Sequence, residues 1–127
     1  MVSLLLLSHS PKIVEGARDL ALEMAGGTNI ITVGGTKSGA LGADFDRSFE
    51  AMQKAAEQGE VIVLVDIGST HMTAQMAKEA LDEALQERVF LSDAALVEGA
   101  LVAAVSISGS GDAKSVIAEI EEFVLPK

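Results

Sequence analysis

A chain of 127 residues, 49% hydrophobic and free of cysteine, has room for one domain with a large aliphatic core and none for disulfides, thiolate metal sites or thiol catalysis. Its net charge of −10, from 19 acidic and 9 basic residues without a Lys/Arg run, excludes a nucleic-acid binder and disfavours an anionic membrane surface. The run Leu4 to Leu7 lacks the basic flank and length of a signal peptide, and Ala94 to Ile107 is too short to span a bilayer and contains Glu98, so a cytoplasmic location is expected.

Val2 to Leu7 is a continuous aliphatic run, the pattern of a strand buried on both faces. Ser10-Pro11 predicts a helix start, with Ile13, Ala17, Leu20, Ala21 and Met24 on the buried stripe and Gly26-Gly27 as the stop. Thr28 to Val33 is expected as the second strand, closed by Gly34-Gly35, and the Gly-rich segment Thr36 to Ala43 as a loop. Asp44 is the predicted cap of a helix burying Phe45, Phe49, Met52 and Ala56, stopped by Gly59. Val61 to Val65 reads as a third buried strand ending at Asp66. Gly68-Ser69 opens a helix with Ala77, Ala80, Leu81, Ala84 and Leu85 on one stripe. Arg88 to Leu91 is a short fourth strand and Leu96 to Ile107 an apolar helix. After Gly109-Ser110-Gly111, a last helix is expected to bury Val116, Ile117, Ile120 and Phe123.

Strands alternating with helices define βαβ units, so the expected fold class is α/β: residues 1–127 as one domain, an open doubly wound, mainly parallel sheet in the order 2-1-3-4 with helices on both faces. Such sheets bind ligands beyond the carboxyl ends of the strands, where successive connections diverge to opposite faces. Here that point lies between the first and third strands, and it brings Ser8-His9-Ser10 opposite Asp66-Ile67-Gly68-Ser69. A histidine nucleophile needs one bare ring nitrogen; a carboxylate facing the other N–H would fix that tautomer, and Asp66 is placed to do so for His9. Both loops enter helices, so N–H groups near Pro11 to Ile13 and Ser69 to His71 can face a phosphoryl group, with Ser10, Gly68, Ser69 and Thr70 the candidate phosphate-binding residues. The plainer alternatives are a loop histidine and an aspartate that caps its own turn. His71 reads as a solvated first-turn residue. Gly34 to Gly42 lacks the GxxxxGK[ST] spacing of a nucleotide-binding loop, and no metal site is expected.

Ser8-His9-Ser10 followed by Glu15-Gly16, then Asp66-Ile67-Gly68-Ser69, then Leu96-Val97-Glu98-Gly99-Ala100 together resemble the phosphotransferase subunit of phosphotransferase-system-dependent dihydroxyacetone kinases, which belongs with the mannose-type enzyme IIA domains. The resemblance covers essentially the whole chain. It implies an enzyme subunit of the phosphoenolpyruvate–glycerone phosphotransferase type, in which His9 accepts a phosphoryl group from the phosphocarrier HPr and Asp66 is its pair. The group would pass to ADP held, with Mg²⁺, by the kinase's nucleotide-binding subunit, so this chain would bind no cofactor itself. The resemblance also implies a homodimer. Ala95 stands where the family pattern has proline and Ala43 where a threonine often follows Leu-Gly.

Other readings of the same sheet fit the residues less well. A phosphorylated receiver would use Asp66 itself but needs an acidic pair after the first strand, where Ser8-His9 stands. A flavin module needs aromatics, and Trp and Tyr are absent. A chelatase needs more metal ligands around the crevice than His71 can add. A non-catalytic binding subunit would have no use for His9 and Asp66 together. The helix Leu96 to Ile107, apolar around most of its circumference, is expected to be covered partly by a second copy, unless the final helix covers it within one chain.

Overall fold

The computed structural model describes residues 2–109 and 111–123. Strand β1 (Val2–Ser8) leads to helix α1 (Pro11–Met24), β2 (Ile30–Gly34), α2 (Phe45–Gln58), β3 (Glu60–Val65), α3 (Gly68–Glu79), the single turn α4 (Glu83–Gln86), β4 (Val89–Ser92), α5 (Leu96–Ser108) and α6 (Ala113–Ile120). The four strands pair in parallel in the order β2-β1-β3-β4, as the alternation of strand and helix predicts. β1 is central: Leu5 registers with Ile31 on one side and Val63 on the other.

The aliphatic run of β1 serves two cores at once. Leu4 and Leu6 join Ile62 and Leu64 beneath α1, α5 and α6, while Leu5 and Leu7 join Val61, Val63 and Val65 beneath α2 and α3. Successive strand side chains point to opposite faces, so only an unbroken aliphatic segment can fill both. Leu4, Leu5 and Leu6 are wholly buried, each contributing roughly 1.5–3 kcal/mol over the exposed side chain. The connections diverge at β1: α1 packs on one face and α2 on the other, which opens a crevice at the carboxyl ends of β1 and β3.

Several helical stripes differ from the pattern read in sequence. α1 buries Val14, Ala17 and Ala21, whereas Ile13, Leu20 and Met24 are largely exposed. Small residues win that face because α1 packs closely on Ala100, Ala103 and Ala104 of α5. On α2, Met52 and Ala56 are buried, but Phe45 is exposed and stacks on the half-buried Phe49 at a ring separation of 6.0 Å. The stripe Ala77 to Leu85 does not lie on one helix: α3 ends at Glu79, Leu81 is buried, and Ala80 and Ala84 face out. Thr28 lies before β2 and donates its hydroxyl to the Ala104 carbonyl at 3.0 Å. Arg88 precedes β4 and holds the Ala56 carbonyl at 2.9 Å. On α6, Val116 and Ile120 are buried; Ser110 and the Phe123 side chain lie outside the described residues.

The apolar helix α5 is covered within the chain by α1 and α6 over Leu96, Ala100, Ala103 and Ala104. Val97 and Val105 remain exposed and Leu101 half-buried, at i, i+4 and i+8 along one side.

Candidate active site

The two loops at the crevice are joined by one carboxylate. Asp66, leaving β3, accepts the Ser8 hydroxyl (2.8 Å) and the His9 amide (3.0 Å) on Oδ2 and the Ile67 amide (2.8 Å) on Oδ1. Thr70 donates a further side-chain hydrogen bond to it. Burial would raise the Asp66 pKa, but the hydrogen bonds from Thr70, His9, Ser8 and Ile67 outweigh it and hold the group below its ordinary value of 3.8. Asp66 is therefore an anion at neutral pH, able only to accept.

His9 follows Ser8 at the end of β1 with its side chain 27% exposed, open enough for a partner to reach. Its Nδ1 lies 2.7 Å from the Thr70 hydroxyl and its Nε2 3.0 Å from the Ser69 hydroxyl. The hydrogen-bond chain sets the tautomer. With the Thr70 hydroxyl directed at the carboxylate, its oxygen is set to accept from Nδ1–H, and the Nε2 lone pair then accepts from the Ser69 hydroxyl.

In place of the expected direct contact, Asp66 Oδ1 is 3.7 Å from Nδ1, beyond hydrogen-bond reach, and the hydroxyl of Thr70 stands between them. The reason lies in α3. It starts at Gly68, so Thr70 sits in its first turn, where a helical side chain tilts back toward the N-terminus and into the crevice. Thr70 is 2% exposed, one of the few buried polar residues. Sequence reading placed Thr70 among phosphate-binding candidates and missed Ser8. Ser8 Oγ, besides donating to Asp66, accepts the Ser10 amide at 3.0 Å.

The other candidates fall as follows. Ser10 holds the N-cap position of α1 without a side-chain cap bond. In α3, the amides of Thr70 and His71 turn back to the Ile67 carbonyl, leaving those of Gly68 and Ser69 as the first-turn donors at the mouth. His71 faces Asp93, with Nδ1 3.4 Å from Oδ1. Ala95 is the N-cap residue of α5 and caps no amide with its side chain. Close packing positions the His9 loop. A Cβ on Gly34 would stand 2.6 Å from Pro11 Cα, the Ser10 carbonyl and Val14, so the end of β2 and the start of α1 touch backbone to backbone. The loop after β2 closes over the site, with the Gly42 amide donating to the His9 carbonyl at 2.9 Å. Among the described residues, no three His, Asp or Glu side chains stand together as a metal group, and no helix is long and apolar enough to cross a membrane.

The switch point of this doubly wound sheet thus carries a histidine with Nδ1 against the buried Thr70 hydroxyl and Nε2 against the exposed Ser69 hydroxyl. The chain belongs to the EIIA-man family, described as the fructose IIA component of the phosphotransferase system, which matches residues 3–117. More particularly, it is 36% identical to phosphoryl donor subunit DhaM of PEP-dependent dihydroxyacetone kinase 2 from Listeria innocua, over 94% of this chain and 97% of that protein. The phosphotransferase subunit DhaM of the PTS-dependent dihydroxyacetone kinase from Lactococcus lactis is 26% identical over 98% of this chain and 97% of its own length. The phosphoryl donor subunit DhaM from Escherichia coli K12 is 34% identical over 92% of this chain, but the match spans only 26% of that longer protein. Among solved structures, a protein of unknown function, EF1359, superposes with a TM-score of 0.88 at 32% identity, covering 99% of this chain and 96% of that one.

Proposed function

We propose that this chain is the phosphohistidine carrier of a PEP-dependent dihydroxyacetone kinase. His9 Nε2 attacks the phosphorus of phosphohistidine on HPr; the new N–P bond forms as the donor's breaks, and the bonding pair returns to the donor ring. The group then passes to ADP on the nucleotide-binding subunit, which holds the nucleotide and Mg²⁺, and the ATP formed there phosphorylates dihydroxyacetone. This chain contributes no metal or nucleotide of its own and works as a cytoplasmic homodimer.

The observation that carries the reading is the His9–Thr70–Asp66 chain, which leaves Nε2 unprotonated at the exposed side of the ring, beside the Ser69 hydroxyl. Nδ1–H, held by Thr70 and backed by the anionic carboxylate, stabilises the positive charge that develops on the ring as Nε2 attacks. The free amides of Gly68 and Ser69 and the Ser69 hydroxyl face the incoming phosphoryl oxygens, and Ser10 lies across from them on α1. Around this mouth, Leu41, Ile67 and Met72 are 76%, 52% and 64% exposed, an apolar rim suited to a protein partner. The names of the relatives, phosphoryl donor subunits of dihydroxyacetone kinases, support the same reading.

The test is to incubate the protein with enzyme I, HPr and labelled phosphoenolpyruvate. One phosphoryl group per chain should appear, lost in acid and stable in alkali, as phosphohistidine is and an acyl phosphate is not. His9→Ala should abolish labelling while circular dichroism stays unchanged. Label retained by that variant, or wild-type label lost in alkali, refutes the proposal.

A further inference from the structure

The Gly-rich segment after β2, which fits no nucleotide-binding pattern, folds into a loop closed by its own hydrogen bonds. The Thr36 amide donates to the Ala40 carbonyl (2.8 Å) and the Gly39 amide to that of Thr36 (2.9 Å). The loop's two ends reach back to β1: Gly35 N–H donates to the Ser8 carbonyl (3.0 Å) and Gly42 N–H to the His9 carbonyl (2.9 Å). Two successive carbonyls at the nucleophile are therefore held by one loop. Both glycines lie at positive φ, +69° and +147°, and a Cβ would meet the Ala40 carbonyl at 2.5 Å from Gly35 and Thr36 Cγ2 at 2.9 Å from Gly42. The loop is packed against itself at both ends.

Arg47 anchors its start. In edge strand β2 the Asn29 carbonyl accepts from Leu4, and Gly35 bonds Ser8, so the alternate residue Gly34 turns its carbonyl off the sheet. Arg47 Nη1 donates to that carbonyl at 3.5 Å and to the Gly35 carbonyl at 3.2 Å. A cation in the first turn of α2 stands at the positive end of the helix dipole, so its placement serves the loop carbonyls and not the helix. His9 is thus restrained from both flanks of β1. Its amide is held by Asp66 and its ring by Thr70 and Ser69, all from the β3–α3 side, while its carbonyl is held by Gly42 from the β2 side.

We propose that Arg47 is a positioning residue for phosphotransfer, acting on His9 through the β2–α2 loop. The inference rests on the phosphocarrier reading above. With Arg47 in place the Gly35 and Gly42 amides fix the backbone of Ser8 and His9, and the ring stays seated on α3 with Nε2 facing the incoming group. Without it the Gly34 and Gly35 carbonyls lose their donor, the loop loosens, and the ring samples orientations from which Nε2 cannot react. The same Nε2 geometry serves loading and discharge, so both slow together. The exposed rim that meets the partner is untouched.

Single-turnover loading of His9 from phosphorylated HPr, followed over a range of HPr concentrations, tests it. Arg47→Met should lower the limiting rate about tenfold or more, with the half-saturating HPr concentration within about twofold of wild type. Discharge to the ADP-loaded nucleotide-binding subunit should slow by the same factor. Arg47→Lys, which keeps a cationic donor, should recover most of the loss. Gly42→Ala, which strains the other end of the loop with Arg47 intact, should show the same defect, and the double variant Arg47→Met/Gly42→Ala should be no slower than the slower single one. Amide exchange should show Gly35 and Gly42 losing protection in Arg47→Met while Val63 in β3 keeps its own. A wild-type limiting rate in Arg47→Met overturns the proposal, as do defects that multiply in the double variant. A raised half-saturating concentration at an unchanged limiting rate would make Arg47 a partner contact, and equal loss of protection at Val63 and Gly42 would reduce it to a general stabiliser; either overturns the positioning role. Wild-type protein that never labels on His9 sinks the phosphocarrier reading instead, and exchange at Gly42 still decides whether Arg47 holds the loop.

Discussion

Thr70→Val removes one oxygen from the site and almost no volume. The side chain is 2% exposed, so water does not replace the lost hydroxyl, and Nδ1–H is left with Asp66 Oδ1 at 3.7 Å as its nearest carboxylate oxygen in the ion pair. A hydrogen bond to a charged group contributes about 1.5–3 kcal/mol. The ring acquires charge only as Nε2 forms its bond, so this loss falls on the transition state and predicts a slowing of roughly 10- to 150-fold. Rapid-quench measurement of His9 loading from phosphorylated HPr reads the rate, and ¹⁵N shifts of the ring read the tautomer. The variant should populate both tautomers, whereas Thr70→Ser, which keeps the oxygen, should load within a few-fold of wild type and keep the Nδ1–H form. Wild-type loading by Thr70→Val with an unchanged tautomer would refute the relay.

Asp66→Asn should flatten the acid limb of the stability curve. The folded-state pKa is depressed, so Asp66 contributes stability above the ordinary value of 3.8 that is lost as pH falls through the lower folded value; urea melts between neutral pH and pH ~3 should show wild type converging on the variant. Gly34→Ala forces a Cβ to 2.6 Å from backbone of Ser10 and Pro11, and should lower stability by about 1–3 kcal/mol and slow His9 loading as its loop shifts; an unchanged melting temperature would show that α1 can move away. Leu101→Lys, on the side of α5 left open beside Val97 and Val105, should convert a dimer to a monomer in light scattering; a wild-type protein already monomeric at micromolar concentration would refute the homodimer.

How much of this was legible in the sequence depends on which physical signal each element carries. The strands were legible because a doubly covered strand must be aliphatic at every position, and Leu4 to Leu7 or Val61 to Val65 admit few other readings. Topology followed from strand–helix alternation, and with it the meeting of His9 and Asp66. Helix faces were harder. Periodicity gives most weight to large side chains, so Ile13, Leu20 and Met24 pulled the reading of α1 toward the wrong stripe, when Ala17 and Ala21 were what let α5 approach. The break after Glu79 was hidden because the alanines on either side continue a helical spacing whether or not the helix does. In the site, Ser8 and Thr70 carried no signal beyond being hydroxyls near a helix start. Their importance comes from the direction in which α3 sets Thr70, a property of three dimensions.

The saturation of Asp66 has a consequence for chemical selectivity. A carboxylate offers about four lone-pair positions, and donors from Ser8, His9, Ile67 and Thr70 engage them. An oxygen so engaged must give up a hydrogen bond before it can attack phosphorus, and is the poorer nucleophile for it. The aspartate at the end of β3, which on a sheet of this kind can itself become a mixed anhydride, is thereby a poor acceptor beside the imidazole of His9. On the proposed function, the donors that hold Asp66 would therefore keep the carboxylate from competing with His9 for the phosphoryl group.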